Sequence, residues 1–134
     1  MATPPARSTG NPDLAAALQA QDAVAVAFAM RNGTTVVPIL PVPGPPQVRV
    51  FRRDDADRYM LLLFSSAAAY VAMLPNEKGH RVLEYDAQGL REFLTENIGV
   101  LEAVWFDVAG PHPMQASPQD VLDALSLGQD GFNA

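Results

Sequence analysis

The most constraining feature of the sequence is an uninterrupted apolar run at residues 59–64, Tyr-Met-Leu-Leu-Leu-Phe. Successive side chains of a β-strand point to opposite faces of its sheet, so a strand made from this run is apolar on both faces. Such a strand is buried only when other elements cover the sheet on both sides. The run therefore predicts a central strand over residues 58–64, with Leu61, Leu63 and Phe64 buried in a layered fold.

The segments before this run predict further extended structure. Residues 47–52 alternate in polarity, and a polar segment at 53–57 separates them from the apolar run, so the two form a predicted β-hairpin. The β-branched residues at 34–39 predict an earlier short strand. Five prolines between residues 38 and 46 each lack a backbone donor, and they predict an extended connector with polyproline character.

Start and stop residues predict four helices. The first begins at Asn11-Pro12 and is interpreted as one helix ending at Asn32-Gly33, although the alternation at residues 24–30 also fits a strand. The next is a short helix capped by both Ser65 and Ser66 and ending at Leu74. The last two are predicted to start after Asp86 and Ser117 and to stop at Gly99 and Gly128.

Two more strands are expected, at residues 81–85 and 103–108. The predicted order is α-β-β-β-α-β-α-β-α, which indicates a mixed α/β (α+β) fold with about five strands and helices packed on the sheet. Connections through helices are typical of parallel pairs, whereas the hairpin is antiparallel. Trp105 and Phe106 point to opposite faces, and both are expected to be buried. Residues 11–128 are predicted to be a single domain between flexible tails at 1–10 and 129–134.

Composition excludes several classes of function. The net charge of −6 argues against a nucleic-acid partner, because phosphate contacts need a basic field. No segment approaches the ~18 consecutive apolar residues of a membrane span. The chain has no cysteine, which excludes disulfides, thiolate zinc sites and thiol nucleophiles, and which fits a cytoplasmic location.

No catalytic, metal-binding or cofactor-binding set is predicted. His80 and His112 are isolated in predicted turns at no recognised metal spacing, and they are expected to be exposed. Ser65 and Ser66 lack the glycines of a nucleophile elbow, and no glycine-rich phosphate loop follows a strand. Two alternatives stay open: a hydrolase-like enzyme that uses the Asp107–His112 region, and a small-ligand sensor with a groove at the strand ends.

Charge is distributed unevenly along the chain. Residues 1–83 carry a net charge of +2, whereas residues 84–134 carry −8. Such asymmetry can mark a surface that faces a partner. The candidate partner-binding residues are therefore the acidic Glu92, Glu96, Asp120 and Asp123 on the last two helices, and the basic Arg49, Arg52, Arg53 and Arg58 on the hairpin.

Several local sequences carry a family resemblance. They are Asn11-Pro12, Val36-Val37-Pro38, Leu62-Leu63-Phe64-Ser65-Ser66, the helix Leu90 to Asn97, Val104-Trp105-Phe106-Asp107 and Ser117-Pro118. Over residues 11–127 the chain resembles the N-terminal domain of the bacterial SseB (serine-sensitivity-enhancing) family. These motifs are caps and strands and indicate a fold without indicating a chemistry. The chain departs from the family after Phe106, where Asp107-Val108 stands in place of the usual Asn-Pro.

The missing catalytic set, the uneven charge and the resemblance together predict a non-enzymatic protein-interaction or regulatory module. The expected partner is an unidentified protein. Whether this chain is a monomer or a homo-oligomer is left open.

Overall fold

The computed structural model describes residues 10–130, which form five α-helices, a short 3-10 helix and five strands. The elements are α1 (Pro12–Gln19), α2 (Ala23–Asn32), β1 (Thr35–Ile39), β2 (Tyr59–Leu63), α3 (Ala67–Met73), β3 (Arg81–Tyr85), α4 (Ala87–Asn97), the 3-10 helix (Ile98–Val100), β4 (Leu101–Phe106), β5 (Met114–Ala116) and α5 (Pro118–Asp130). The predicted tails lie outside the described residues, apart from Gly10, which bridges to Ser66, and the end of α5.

The strands form a mixed arrangement centred on β2. Strand β4 pairs with β2 in parallel, and β5 pairs with β4 in antiparallel orientation. Strands β1 and β3 form a separate antiparallel pair. Val36 and Phe64 join the two sheets through reciprocal backbone hydrogen bonds of 3.0 Å. The predicted α+β class and mixed pairing are confirmed.

The central strand has a core on each side. Leu61 and Leu63 are fully buried and pack in the larger cluster, together with residues of α1, α2, α4 and α5. We call this side of the sheet the helical face. Leu62 and Phe64 pack on the other side, against Tyr70 of α3. We call that side the open face, because α3 is the main helix that covers it, whereas four helices cover the helical face. The predicted burial of Leu61, Leu63 and Phe64 is therefore confirmed, whereas Tyr59 at the start of the run is exposed.

The first predicted helix is two helices. Gln21 adopts a left-handed backbone with φ of 53°, which ends the first helix. Asp22 then caps α2, and its Oδ1 accepts hydrogen bonds of 3.1 Å from the backbone N–H groups of Val24 and Ala25. The break lets α1 and α2 pack against each other as well as on the sheet, which a single straight helix cannot do.

The predicted hairpin is also wrong in its first arm. Residues 47–52 are not a regular strand, because they divide their hydrogen bonds between two strands. The Arg49 N–H donates to the carbonyl of Pro38 in β1, whereas Phe51 exchanges hydrogen bonds of 3.0 and 2.6 Å with Met60 in β2. The segment therefore crosses from β1 to β2. The proline-rich residues 41–46 form a loop between β1 and this segment, since prolines lack the N–H donor of a strand ladder.

The remaining corrections concern ends and pairings. Strand β3 pairs antiparallel with β1, although a helix connects it to β2. Strand β5 was not predicted, and α5 continues past Gly128 to Asp130. Helix α4 ends at Asn97, so Gly99 lies inside the 3-10 helix. Glycine permits many conformations but does not force a helix to end.

Candidate functional site

The side-chain hydrogen bonds of Asp107 are with Ser65. Its Oδ1 accepts a hydrogen bond of 2.8 Å from the Ser65 N–H, and its Oδ2 accepts one of 2.7 Å from the Ser65 hydroxyl. These residues follow the parallel strands β2 and β4, so they tie together the carboxyl ends of two central strands. No hydrogen bond joins His112 to Asp107 within residues 10–127. The prediction that Ser65 caps α3 is wrong, because Ser66 alone does so, at 3.1 Å from Ala69 N.

His80 is not an exposed turn residue. It is half-buried, and its Nε2 lies 2.6 Å from the carbonyl oxygen of Leu74. Its ring packs edge-on against Tyr70, with 5.7 Å between the ring centroids. His112 is half-buried as well. Among the residues described, no three His, Asp or Glu side chains cluster as metal ligands would.

The four candidate carboxylates occupy exposed positions on the helical side. Glu92 and Glu96 lie on α4, and Asp120 and Asp123 lie on α5, which packs against α4. Glu92 accepts a hydrogen bond from Gln88, and Asp123 accepts one from Gln119. The structure therefore brings both acidic helices to one side of the sheet. Of the four carboxylates, Asp120 also lines a depression between α2 and α5.

Of the four candidate arginines, Arg49 forms hydrogen bonds within the fold. Its Nη1 donates to both carboxylate oxygens of Glu77, at 3.0 and 2.9 Å, and to the Tyr70 hydroxyl at 3.0 Å. Its guanidinium also lies 5.1 Å from the centroid of the Phe51 ring. Burial raises the pKa of Tyr70 despite the nearby positive charge of Arg49, so this phenol stays protonated at neutral pH. Arg49 therefore ties the crossing segment to α3.

Arg53 forms a two-pronged contact with Glu102 of β4. Its Nε and Nη2 donate to the two carboxylate oxygens at 2.7 and 2.9 Å. This hydrogen-bonded contact holds the pKa of Glu102 below its usual range, and the positive charge of Arg58 adds to the effect. Arg52 and Arg58 are exposed, and neither forms an ion pair within residues 10–127. The basic residues thus divide into two that fix the structure and two with free guanidinium groups.

An apolar groove opens on the open face beside these arginines. Its volume is about 620 Å³. It runs between the end of α3, the crossing segment and the exposed side of β2 and β4. We call it the open-face groove, and its lining residues are Phe51, Arg52, Arg53, Met60, Leu62, Met73, Leu74, Trp105, Val108 and Ala109.

Trp105 lies in this groove instead of being covered by a helix. It is half-buried, whereas its neighbour Phe106 is 1% exposed on the helical face. The two side chains do point to opposite faces, as predicted, but the burial expected for Trp105 is incomplete because the residues of α3 that pack on this face do not enclose it. The sequence held one usable signal: Trp105 shares the β4 segment with the charged Glu102, and charged residues are rarely fully covered.

A polar pocket of about 400 Å³ adjoins the groove. The two cavities share Arg53, Met60 and Trp105. The polar pocket adds four further lining residues: Arg58, Glu102, Ala103 and Gln115. One continuous surface therefore presents an apolar channel next to a site with two guanidinium groups and one carboxylate.

Two other depressions lie on the helical side. One, of about 250 Å³, is enclosed by α2, α5 and β5 and is mainly apolar. The other is an open valley between α1 and α2, where Val24 and Phe28 are exposed. The first is lined by two polar side chains, Gln115 and Asp120, and the second by three charged ones, Asp13, Asp22 and Arg31.

Comparison with known proteins adds no assignment. No family model matches the chain, and no curated protein is significantly similar to it. The resemblance to SseB N-terminal domains stays a prediction. No helix within the described residues is both long enough and apolar enough to cross a membrane.

Proposed function

We propose that this protein is a non-enzymatic interaction module that binds a segment of a protein partner in the open-face groove. The observation that carries the proposal is the incomplete cover of Trp105, which leaves an aromatic and methionine-lined channel on the sheet. The proposal includes membership of the SseB N-terminal type, a regulatory role without a cofactor and a bacterial cytoplasmic setting.

The composition of the groove supports a protein partner. Tryptophan, methionine and arginine are enriched in protein interfaces relative to the remaining surface. The unbranched side chains of Met60 and Met73 adapt to irregular partner surfaces. The groove is open along its length, whereas sites for small molecules enclose most of the ligand. A polypeptide that lays apolar side chains along the channel fits this shape.

The hydrogen bonds of Asp107 support a module without catalysis. The two oxygens of Asp107 are already engaged by Ser65, and no histidine joins them within the described chain. A general base must lie within hydrogen-bond reach of the group that it activates. The hydrolase-like alternative therefore gains no geometric support from the Asp107–His112 region.

Photo-crosslinking tests the proposal. Benzoylphenylalanine is placed at Ala109, an exposed residue of the groove, and in a separate control at Glu92, an exposed residue of α4. Both variants are expressed in the native host and irradiated. We expect a discrete protein adduct from position 109 that Met73→Glu in the same chain abolishes. An absence of adduct at position 109, or an adduct formed only from position 92, overturns the proposal.

A further inference from the structure

We propose that the partner segment is acidic: an aspartate or glutamate side chain enters the polar pocket beside Trp105 while a neighbouring apolar side chain packs in the open-face groove. This inference rests on the proposed function and adds the chemical class of the partner. It concerns a surface opposite the acidic helices, and it assigns Arg52 and Arg58 to recognition.

Local charge favours an acidic occupant. Arg52, Arg53 and Arg58 line the groove and pocket, and Glu102 is the one carboxylate among the residues that line them. The surface is therefore basic although the chain as a whole carries −6. Asp54, Asp55 and Asp57 belong to the same connecting loop but line neither cavity, so arginine side chains outnumber carboxylates in the lining itself.

The hydrogen-bonding capacity of the pocket is incompletely used. A guanidinium group has five N–H donors, and Arg53 spends two of them on Glu102. The contact with Glu102 orients the guanidinium toward β4, and its other N–H groups donate to no residue within 10–127. Arg58 and the carboxamide of Gln115 line the same pocket and add donors. A carboxylate that enters can thus accept charge-assisted hydrogen bonds from two arginines, which are stronger than those between neutral groups.

The shared wall of the two cavities sets the spacing of the ligand. Trp105 and Met60 line both, so the apolar anchor and the carboxylate must belong to side chains that lie close together in the partner. A residue pair such as Leu-Glu or Asp-Phe, in adjacent or alternate positions of an extended segment, satisfies this spacing. A basic segment would instead place its cations against Arg52 and Arg58.

The test is selection from a displayed library of random ten-residue peptides without tryptophan, fused at both ends so that no terminal carboxylate is free. We expect the selected peptides to combine Asp or Glu with a neighbouring large apolar residue. Their affinity should fall about tenfold with Arg58→Gln and several-fold with Arg52→Gln. Lys78→Gln, which removes one exposed positive charge outside the groove, should leave the affinity unchanged.

Four outcomes overturn the inference. Neutral or basic peptides that lose affinity with Met73→Glu contradict the acidic class but leave the groove as the binding surface. Acidic peptides that bind Met73→Glu and Trp105→Ala as tightly as the wild type contradict the groove itself, provided that circular dichroism shows both variants folded. Binders obtained only from a parallel library with free C-termini assign the carboxylate to the chain terminus and contradict the side-chain source. A failure of the fused library to yield binders also overturns the inference.

Discussion

The carboxylate of Asp107 receives both hydrogen-bond donors of Ser65, the backbone N–H at 2.8 Å and the hydroxyl at 2.7 Å. This contact joins the carboxyl ends of β2 and β4, which are the two strands that line the open-face groove. Because Ser65 is 5% exposed, water cannot readily replace the lost acceptor when the carboxylate is removed.

Replacing Asp107 should therefore destabilise the fold. Asp107→Ala removes a charged acceptor and leaves a buried N–H without a partner, at a cost of about 1.5–3 kcal/mol. Asp107 also has a left-handed backbone, with φ of 46°, which asparagine tolerates better than alanine does. Asp107→Asn should consequently lose less free energy of unfolding than Asp107→Ala. Urea denaturation measures both, and equal losses would contradict the advantage expected from the acceptor and the backbone preference of asparagine.

The central strand provides a second stability test. Leu63 is fully buried in the cluster on the helical face. Leu63→Ala should lower the free energy of unfolding by about 2–5 kcal/mol, because the surrounding core relaxes only partly around the cavity. Val100→Ala, at a half-exposed position outside the core, is the matched control. A loss well under 1 kcal/mol for Leu63→Ala would be incompatible with a central, doubly covered strand.

The contact between Arg53 and Glu102 predicts a pH dependence. Hydrogen bonding to Arg53 lowers the pKa of Glu102, so the unfolded chain binds a proton at this site more readily than the folded chain does. The contribution to stability is complete above the ordinary glutamate pKa of about 4.3 and is lost as the pH falls through the lowered folded value. The difference in unfolding free energy between wild type and Glu102→Gln should shrink over that acidic interval. A difference that grows on acidification would contradict the assignment.

The two histidines should differ in their effect on stability. His80 packs on Tyr70 and contacts the Leu74 carbonyl, so His80→Ala should cost about 1 kcal/mol. His112→Ala should stay within about 0.5 kcal/mol, as is usual for substitutions away from packed networks. Thermal unfolding of each variant measures the difference. Loss of cellular function in a folded His112→Ala protein would contradict the non-enzymatic account.

Features set by neighbouring residues could be predicted from the sequence. The apolar run at 59–64 requires neighbours on both faces, and its residues 61–64 are buried between two clusters. Ser66, Asp86 and Ser117 each cap the helix that follows, because a cap is formed by a side chain and N–H groups within three residues of it. The break at Gln21 is marked by neither glycine nor proline, although Asp22 caps α2 in the same way.

The groove could not be predicted in the same way. Its walls come from Phe51, Met73 and Trp105, which are far apart in sequence and are brought together by the pairing of β2 with β4 and the position of α3. The four arginines were grouped as candidates by their proximity in sequence. Their division into structural and free groups depends on Glu77 and Glu102, whose positions only the fold determines.

Trp105 is the one tryptophan of the chain and lies in the groove, so its fluorescence tests the central claim directly. A tryptophan-free acidic peptide from the selection is titrated into the protein while calorimetry records binding independently. The account predicts a saturable change in emission and reduced quenching of Trp105 by acrylamide, with the same midpoint as the heat signal. Phe28→Ser, which removes an exposed aromatic ring on the helical side, should give the same titration. Binding heat without any change in the emission or quenching of Trp105 would contradict the groove as the docking surface.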